Sequence, residues 1–412
     1  MSSLLSYITI FVITASLIFI GFFGEIFFRR TGFSEYIFLI IIGILLGPIL
    51  NVFKLSLILP ILPYVSQLTL AMIMLELGMS FKFEDLLSQG RSAGLRTILY
   101  VGFSILLIFV IFKYIFGWSS YSSFFLATAI GGETTAAIVP YLAKSLKNDE
   151  FFANVTLEAS LNSVLLIVLF TFGLNSYLQH VPFNVSGLES IISSVIAQIS
   201  IGIVIGFVAA VVWIDFTRMF WAEEYFYIAT IGYTLAIYAF VSLINGSAIL
   251  SVLTFGAILM NNKTFLKMFG RKTDEQIIDM QVNYIKTFQK EITFFLRTYF
   301  FFFIGLVFFI DKLLDLLTYL YLAALLGTLL LSRFISVMIS IKNAELRPAY
   351  YVMLSQGLTL AVLASLALYY SLPMSHYIMT LTSLIILLTN IITTTSWAKL
   401  SAKYLTYTSQ KY

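Results

Sequence analysis

Long apolar stretches follow one another along this chain, broken at Gly, Pro, Asn and charged residues. A membrane-crossing helix needs about 20 mostly apolar residues. Thirteen stretches approach or exceed that length: 4–28, 36–53, 57–79, 93–116, 121–143, 152–176, 189–214, 223–243, 246–262, 291–310, 313–335, 349–371 and 375–396, those at 36–53 and 246–262 being the shortest. The first, from Leu4 to Phe28, is too long for the apolar core of a signal peptide. No small-residue cleavage pattern follows it, so it reads as a retained helix.

The polar gaps test this count. The odd-numbered gaps and the C-terminal tail hold nineteen Lys and Arg, from Arg29, Arg30, Lys82, Arg91 and Arg96 through to Lys403 and Lys411. The N-terminus and the even-numbered gaps hold only Lys54, Lys113 and Lys312. Basic residues concentrate on the cytoplasmic side, so this bias predicts an N-terminus outside and a C-terminus in the cytoplasm. A missed or surplus helix would scramble the alternation. The longest polar connection, 263–290, carries Ile277, Ile278, Met280, Val282 and Ile285 at spacings that fit an amphipathic helix at the cytoplasmic interface. The predicted organisation is a single membrane domain: nine helices in 1–262, an amphipathic linker at 263–290, then helices ten to thirteen and a short cytoplasmic tail in 291–412.

Composition agrees. The chain is 60% hydrophobic and 11% charged, with a mean hydropathy of +0.98, whereas soluble domains carry roughly 25% charged residues. Its solvent must largely be lipid. The net charge of +4 follows from the loop bias and gives no reason to expect nucleic acid. With no cysteine, disulfides, Cys-ligated zinc and thiol nucleophiles are excluded. His180 and His376 cannot build a multi-histidine metal site between them. No nucleophile–histidine pair and no HExxH stands in the chain, so neither an enzyme nor a cofactor is expected.

Ionisable groups far from helix ends are the informative residues, because each costs at least a few kcal/mol at the bilayer centre and needs a partner or a water-filled path. They are Glu133, Glu158, Arg297 and Arg333, with Glu25 and Glu76 nearer the cytoplasmic ends. Glu133 follows Gly131–Gly132 halfway through the fifth stretch and precedes Thr134 and Thr135. The glycine pair weakens the helix, and hydroxyls beside a mid-membrane carboxylate fit the broken helices by which transporters hold ions. Glu158 and Arg297 each lie six residues into a stretch that starts at the cytoplasmic face, so both sit roughly 9 Å deep. Equal depth and opposite sign predict a buried ion pair. Arg333 lies close enough to the cytoplasmic face to extend its head group into water. In the twelfth stretch, Ser355-Gln356-Gly357 interrupts an apolar run. Stretches five and twelve hold corresponding places in two halves, the mark of an inverted repeat with the site at its interface.

These residues resemble the monovalent cation/proton antiporter superfamily of the NhaP and Kef type over most of the chain. The resemblance rests on Gly43-Ile-Leu-Leu-Gly47-Pro48, Leu75-Glu-Leu-Gly78, Gly131-Gly132 through Ile-Val-Pro140, Glu158-Ala-Ser-Leu-Asn162-Ser163, Gly246-Ser-Ala-Ile-Leu with Phe255-Gly256, and Phe295-Leu-Arg297-Thr-Tyr-Phe-Phe-Phe. It implies an all-α membrane protein of about thirteen transmembrane helices, inverted repeats with broken helices five and twelve crossing at the midplane, and a homodimer moving in an elevator-like manner. The family's cation- and proton-binding aspartate in helix six corresponds to Ser163, after Asn162; its frequent arginine in helix twelve corresponds to Gln356. The expected activity is secondary active exchange of a monovalent cation, Na⁺ or K⁺, for protons across the cell membrane. Glu133 would substitute for the missing aspartate, and Thr134, Asn162 and Ser163 would supply oxygen ligands. Glu158, Arg297, Gln356 and Thr135 would support them. The alternative is a degenerate homologue of the same fold that passes another solute, conducts passively or only senses.

Overall fold

Runs of apolar residues with hydroxyl or carboxylate caps at their starts give a chain of helices. The computed structural model of this protein describes residues 2–31, 34–53, 58–134, 149–181, 185–220, 225–268 and 275–409. Among these, sixteen α-helices follow one another. They are α1 (Ser2–Thr31), α2 (Glu35–Ile44, extended by a π-helical turn to Ile49), α3 (Leu62–Ser80), α4 (Phe83–Val110, with a π-helical turn to Ile115), α5 (Ser120–Ile130), α6 (Asp149–Leu178), α7 (Val185–Phe220) and α8 (Phe226–Leu243). The rest are α9 (Ala248–Met260), α10 (Asn262–Met268), α11 (Glu275–Leu306), α12 (Ile310–Leu313), α13 (Leu316–Ser340), α14 (Arg347–Val352), α15 (Leu358–Tyr369) and α16 (Ser375–Ser409). Side chains of Ser34, Ser119, Ser247 and Asp315 accept backbone N–H groups at the starts of α2, α5, α9 and α13, satisfying donors that a helix leaves orphaned there.

Seven of these helices are long and apolar enough to cross a membrane, and four shorter apolar ones lie within α1, α2, α9 and α15. With α5 and the C-terminal half of α11 they account for the thirteen stretches. Two stretches are broken within their length: the fifth after α5, and the twelfth between α14 and α15. The linker expected at 263–290 contains α10 and the start of α11, and α11 runs past residue 290 without interruption.

The chain divides into two compact units. The first comprises Met1–Ser66, Ser92–Ile167 and Phe295–Tyr412. Within it α2 and α11 approach at Gly43 and Gly305, each glycine lying against the other's backbone, where a Cβ on either would come within 2.8 Å of the partner's Cα. Tyr36 stacks on Phe301 nearby. A buried apolar cluster of Phe28, Phe151, Val155, Val337, Tyr350, Met353 and Trp397 ties α1, α6, α13, α14 and α16. The second unit comprises Gln67–Arg91 and Val168–Phe294. There Gly78 of α3 faces Gly256 of α9, and Gly202 and Gly206 of α7 lie against Ser247 and Ser251 at the start of α9. Such small-residue contacts are how helices associate where lipid removes the hydrophobic drive to do so. Buried Gln289 of α11 bonds the Met72 carbonyl at 2.9 Å, and Asn261 bonds the Phe81 carbonyl at 2.6 Å.

Candidate ion-binding site

The site is built in the first unit from the two breaks. Helix α5 ends at Ile130, and the chain turns at Gly131 and Gly132. Gly132 has φ +86°, a region L side chains rarely adopt. A Cβ there would also come within 3.0 Å of Ser104 Oγ and 3.1 Å of the Tyr100 carbonyl on α4. Only glycine fits both constraints, and the turn carries Glu133 and Thr134 out of the helix into the interior. Glu133 is 2% exposed and Thr134 fully buried.

The second break, Met353–Gly357, is buried throughout and brings a helix N-terminus to that carboxylate. The Gly357 N–H donates to Glu133 Oε2 at 2.9 Å, and Ser163 Oγ on α6 donates to Oε1 at 3.1 Å. The Thr359 hydroxyl and the Leu360 N–H in the first turn of α15 also interact with it. The first turn of a helix has unsatisfied N–H groups and a partial positive charge, so a carboxylate is well placed there. Gln356 clasps the two breaks by donating from Nε2 to the Ile130 carbonyl at 3.3 Å.

Three buried amides around these breaks leave their side-chain carbonyl oxygens without a donor. Asn162 gives its NH₂ to Thr134 Oγ1 at 2.9 Å, Gln356 gives its NH₂ to Ile130, and Asn390 on α16 gives its NH₂ to the Gln356 carbonyl at 2.8 Å. Oδ1 of Asn162, Oε1 of Gln356 and Oδ1 of Asn390 then have no hydrogen-bond partner. Neutral oxygens beside a carboxylate at broken helices are the donor set that suits an alkali cation. Asn390 is absent from the sequence-based candidates. Its signal is the run of Thr389, Asn390, Thr393 and Thr394 within an apolar stretch, which a search restricted to ionisable groups passes over. Among the described residues no group of three or more His, Asp or Glu is arranged to hold a metal ion.

The structure thus brings Glu133, Thr134, Asn162, Ser163 and Gln356 together; Thr135 lies outside the described residues. Glu158 and Arg297 do not meet. Glu158 is fully buried between Arg96 Nε, at 2.5 Å from Oε2, and Arg333 Nη1, which bonds Oε1. Arg96 also bonds Asn154 and stacks over Tyr350, and Arg333 Nε donates to the Tyr350 carbonyl at 2.9 Å. Arg297 instead pairs with Glu35 at 2.9 Å and Glu25 at 3.7 Å. Equal depth does not imply adjacency, because depth leaves the neighbouring helix undetermined. Arg333, expected to reach water, is 1% exposed. Arg96, counted among the loop charges, is 0% exposed within α4. The loop bias survives the loss of one residue in nineteen, but these two arginines belong to the core.

A family model described as sodium/hydrogen exchanger, transmembrane, matches residues 12–402. Among solved structures, the sodium proton antiporter MjNhaP1 from Methanocaldococcus jannaschii at pH 8 is similar at TM-score 0.77 and 16% identity, covering 96% of this chain and 98% of that one. An electron-microscopy structure of the same antiporter gives TM-score 0.72 and 16% identity, over 97% and 98% of the two chains. No curated protein matches the chain.

Proposed function

We propose, from the premise that this chain belongs to the sodium/hydrogen exchanger family, that it exchanges Na⁺ or K⁺ for protons by alternating access at Glu133. It is a multi-pass membrane protein and not an enzyme, and the family sets the reaction class as cation/proton antiport. The observation that supports Glu133 as the exchanging group is a buried carboxylate at the meeting of two broken helices, where Asn162, Gln356 and Asn390 bond residues of the breaks and leave their amide oxygens undonated. In one half-cycle Glu133 carries the proton. In the other it holds the cation with Thr134, Asn162 and Ser163, while Gln356 keeps the breaks together. Glu158 and Arg297 act at a distance, each inside its own ion cluster. In this reading the protein is a homodimer in the cell membrane with its N-terminus outside and its C-terminus in the cytoplasm.

A second reading is favoured by a specific feature: both carboxylate oxygens of Glu133 already accept hydrogen bonds, and Ser163 stands where the resemblance leads one to expect aspartate. Here Glu133 only caps α15, and the protein passes another solute, conducts passively or senses. Proton flux in proteoliposomes scanned over Na⁺, K⁺ and Li⁺ separates the two. Exchange should be present in the wild-type protein and absent in Glu133→Gln, which keeps shape and hydrogen bonding but cannot ionise. Ser163→Asp places a second carboxylate beside Glu133, and like-charge coupling should shift the pH profile or the cation preference. Transport by Glu133→Gln at the wild-type rate would make Glu133 structural.

A further inference from the structure

One face of α4 carries buried polar atoms that the exchange scheme leaves unused. Thr97 Oγ1, the Tyr100 hydroxyl and Ser104 Oγ have no hydrogen-bond partner, and their residues are 4%, 0% and 0% exposed. Their spacing of three and four residues puts them in one row along the helix, spanning about 10 Å from Thr97 to Ser104. At one end the row begins beside Arg96, whose Nη1 is likewise unpartnered. At the other, Ser104 Oγ and the Tyr100 backbone lie against Gly132, next to Glu133. Midway, the guanidinium of Arg333 sits 5.0 Å from the centre of the Tyr100 ring, its Nη2 unpartnered. Tyr100 is within electrostatic reach of Glu133, Glu158 and Arg333.

A single orphaned hydroxyl costs about 1–3 kcal/mol, and native interiors hold few of them. Three in one row, with an unpartnered guanidinium nitrogen of Arg96 at one end and of Arg333 midway, join the exchanging carboxylate to the arginine cluster and call for a common partner. Water is small enough and both donates and accepts, and buried water typically bridges such groups. We infer that this face of α4 holds a column of ordered water that carries the proton between Glu133 and the Arg96 end of the helix, with Tyr100 as the hydroxyl relay; the relay rests on the exchange reading above. In each transfer the Tyr100 oxygen accepts a proton from the water on one side while its own O–H proton passes to the water on the other. The phenol ends unchanged and neutral.

Two measurements test this. In millisecond hydroxyl-radical labelling of the detergent-solubilised protein, radicals form on bound water, so Tyr100 should be oxidised despite its complete burial. Phe170 of α6, equally buried, should not be. In proteoliposomes, Tyr100→Phe should slow cation-driven proton flux about tenfold or more without changing the half-saturating cation concentration. Ser104→Ala provides a second variant if Tyr100→Phe fails to fold, and Tyr233→Phe in the second unit should leave the flux unchanged. Labelling of Tyr100 no faster than of Phe170 overturns the water column whether or not the protein transports. Wild-type flux in both α4 variants overturns the relay. A wild-type protein that moves no protons with any alkali cation overturns the exchange reading and the relay with it, and labelling then decides the column by itself.

Discussion

Glu158→Gln probes the arrangement on which the core of the first unit depends. The carboxylate is fully buried between two buried guanidiniums. With charge centres about 4 Å apart and an effective dielectric of about 20, each attraction is worth about 4 kcal/mol. Desolvation opposes this with several kcal/mol per ion, and removing one partner of a buried pair costs about 3–5 kcal/mol because the remaining charge is uncompensated. Glu158→Gln strands two arginines at once, so the loss should lie near the upper end of that range. Adding Arg333→Gln removes one stranded charge and should recover part of the loss. Adding Arg297→Gln should not, because Arg297 pairs with Glu35 and Glu25. The assay is equilibrium unfolding in mixed detergent micelles followed by tryptophan fluorescence, analysed as two double-mutant cycles. The expected coupling between Glu158 and Arg333 is about 2 kcal/mol or more, and that between Glu158 and Arg297 within about 0.5 kcal/mol of zero. Additive losses for the first pair, or strong coupling for the second, would refute the assignment.

Other outcomes follow from the same geometry. Gly43→Ala should destabilise the protein by about 1–3 kcal/mol or more, because the new Cβ meets the backbone of Phe302 and Gly305, whereas Gly102→Ala in α4 meets nothing within 4 Å and should be neutral or stabilising; melting curves compare the two. The Tyr377 hydroxyl, at 2.5 Å, and then the Leu317 N–H hold the Asp315 carboxyl below its ordinary range. A depressed carboxyl contributes stability that is present above its unfolded value, about 3.9, and is lost as pH falls through the folded one. The melting difference between wild type and Asp315→Asn should therefore be constant near neutrality and shrink below about pH 4. Burial, followed by Lys290 and Lys82, pushes the Lys286 ammonium below the usual lysine value, with Glu76 opposing. The unfolded chain then binds more protons in the window below about 10.4, so stability rises with pH there. Lys286→Gln should raise the melting temperature at pH 7, and the gain should shrink by pH 10.

Much of the architecture is a property of the sequence alone. A helix satisfies its own backbone, so in lipid an apolar run of sufficient length specifies a helix without reference to its neighbours, and the thirteen stretches were readable one at a time. The breaks were readable for the same local reason: Gly131–Gly132 and Ser355-Gln356-Gly357 interrupt runs that would otherwise continue. Glu133 stood out because a carboxylate in such a place is costly. Pairing was decided only in three dimensions. The sequence gives depth along each helix, but not which helix lies beside which, nor how each is turned about its axis. Glu158 accordingly found Arg96 and Arg333, 62 and 175 residues away in the chain, in place of Arg297, which the sequence suggested for it. Asn390, neutral and set among threonines, is marked in the sequence only as a polar residue in an apolar stretch; its place against the second break appears once Gln356 is set beside it. A charge in lipid must be compensated by something, and this requirement is visible in one dimension. The identity of the compensating group depends on packing.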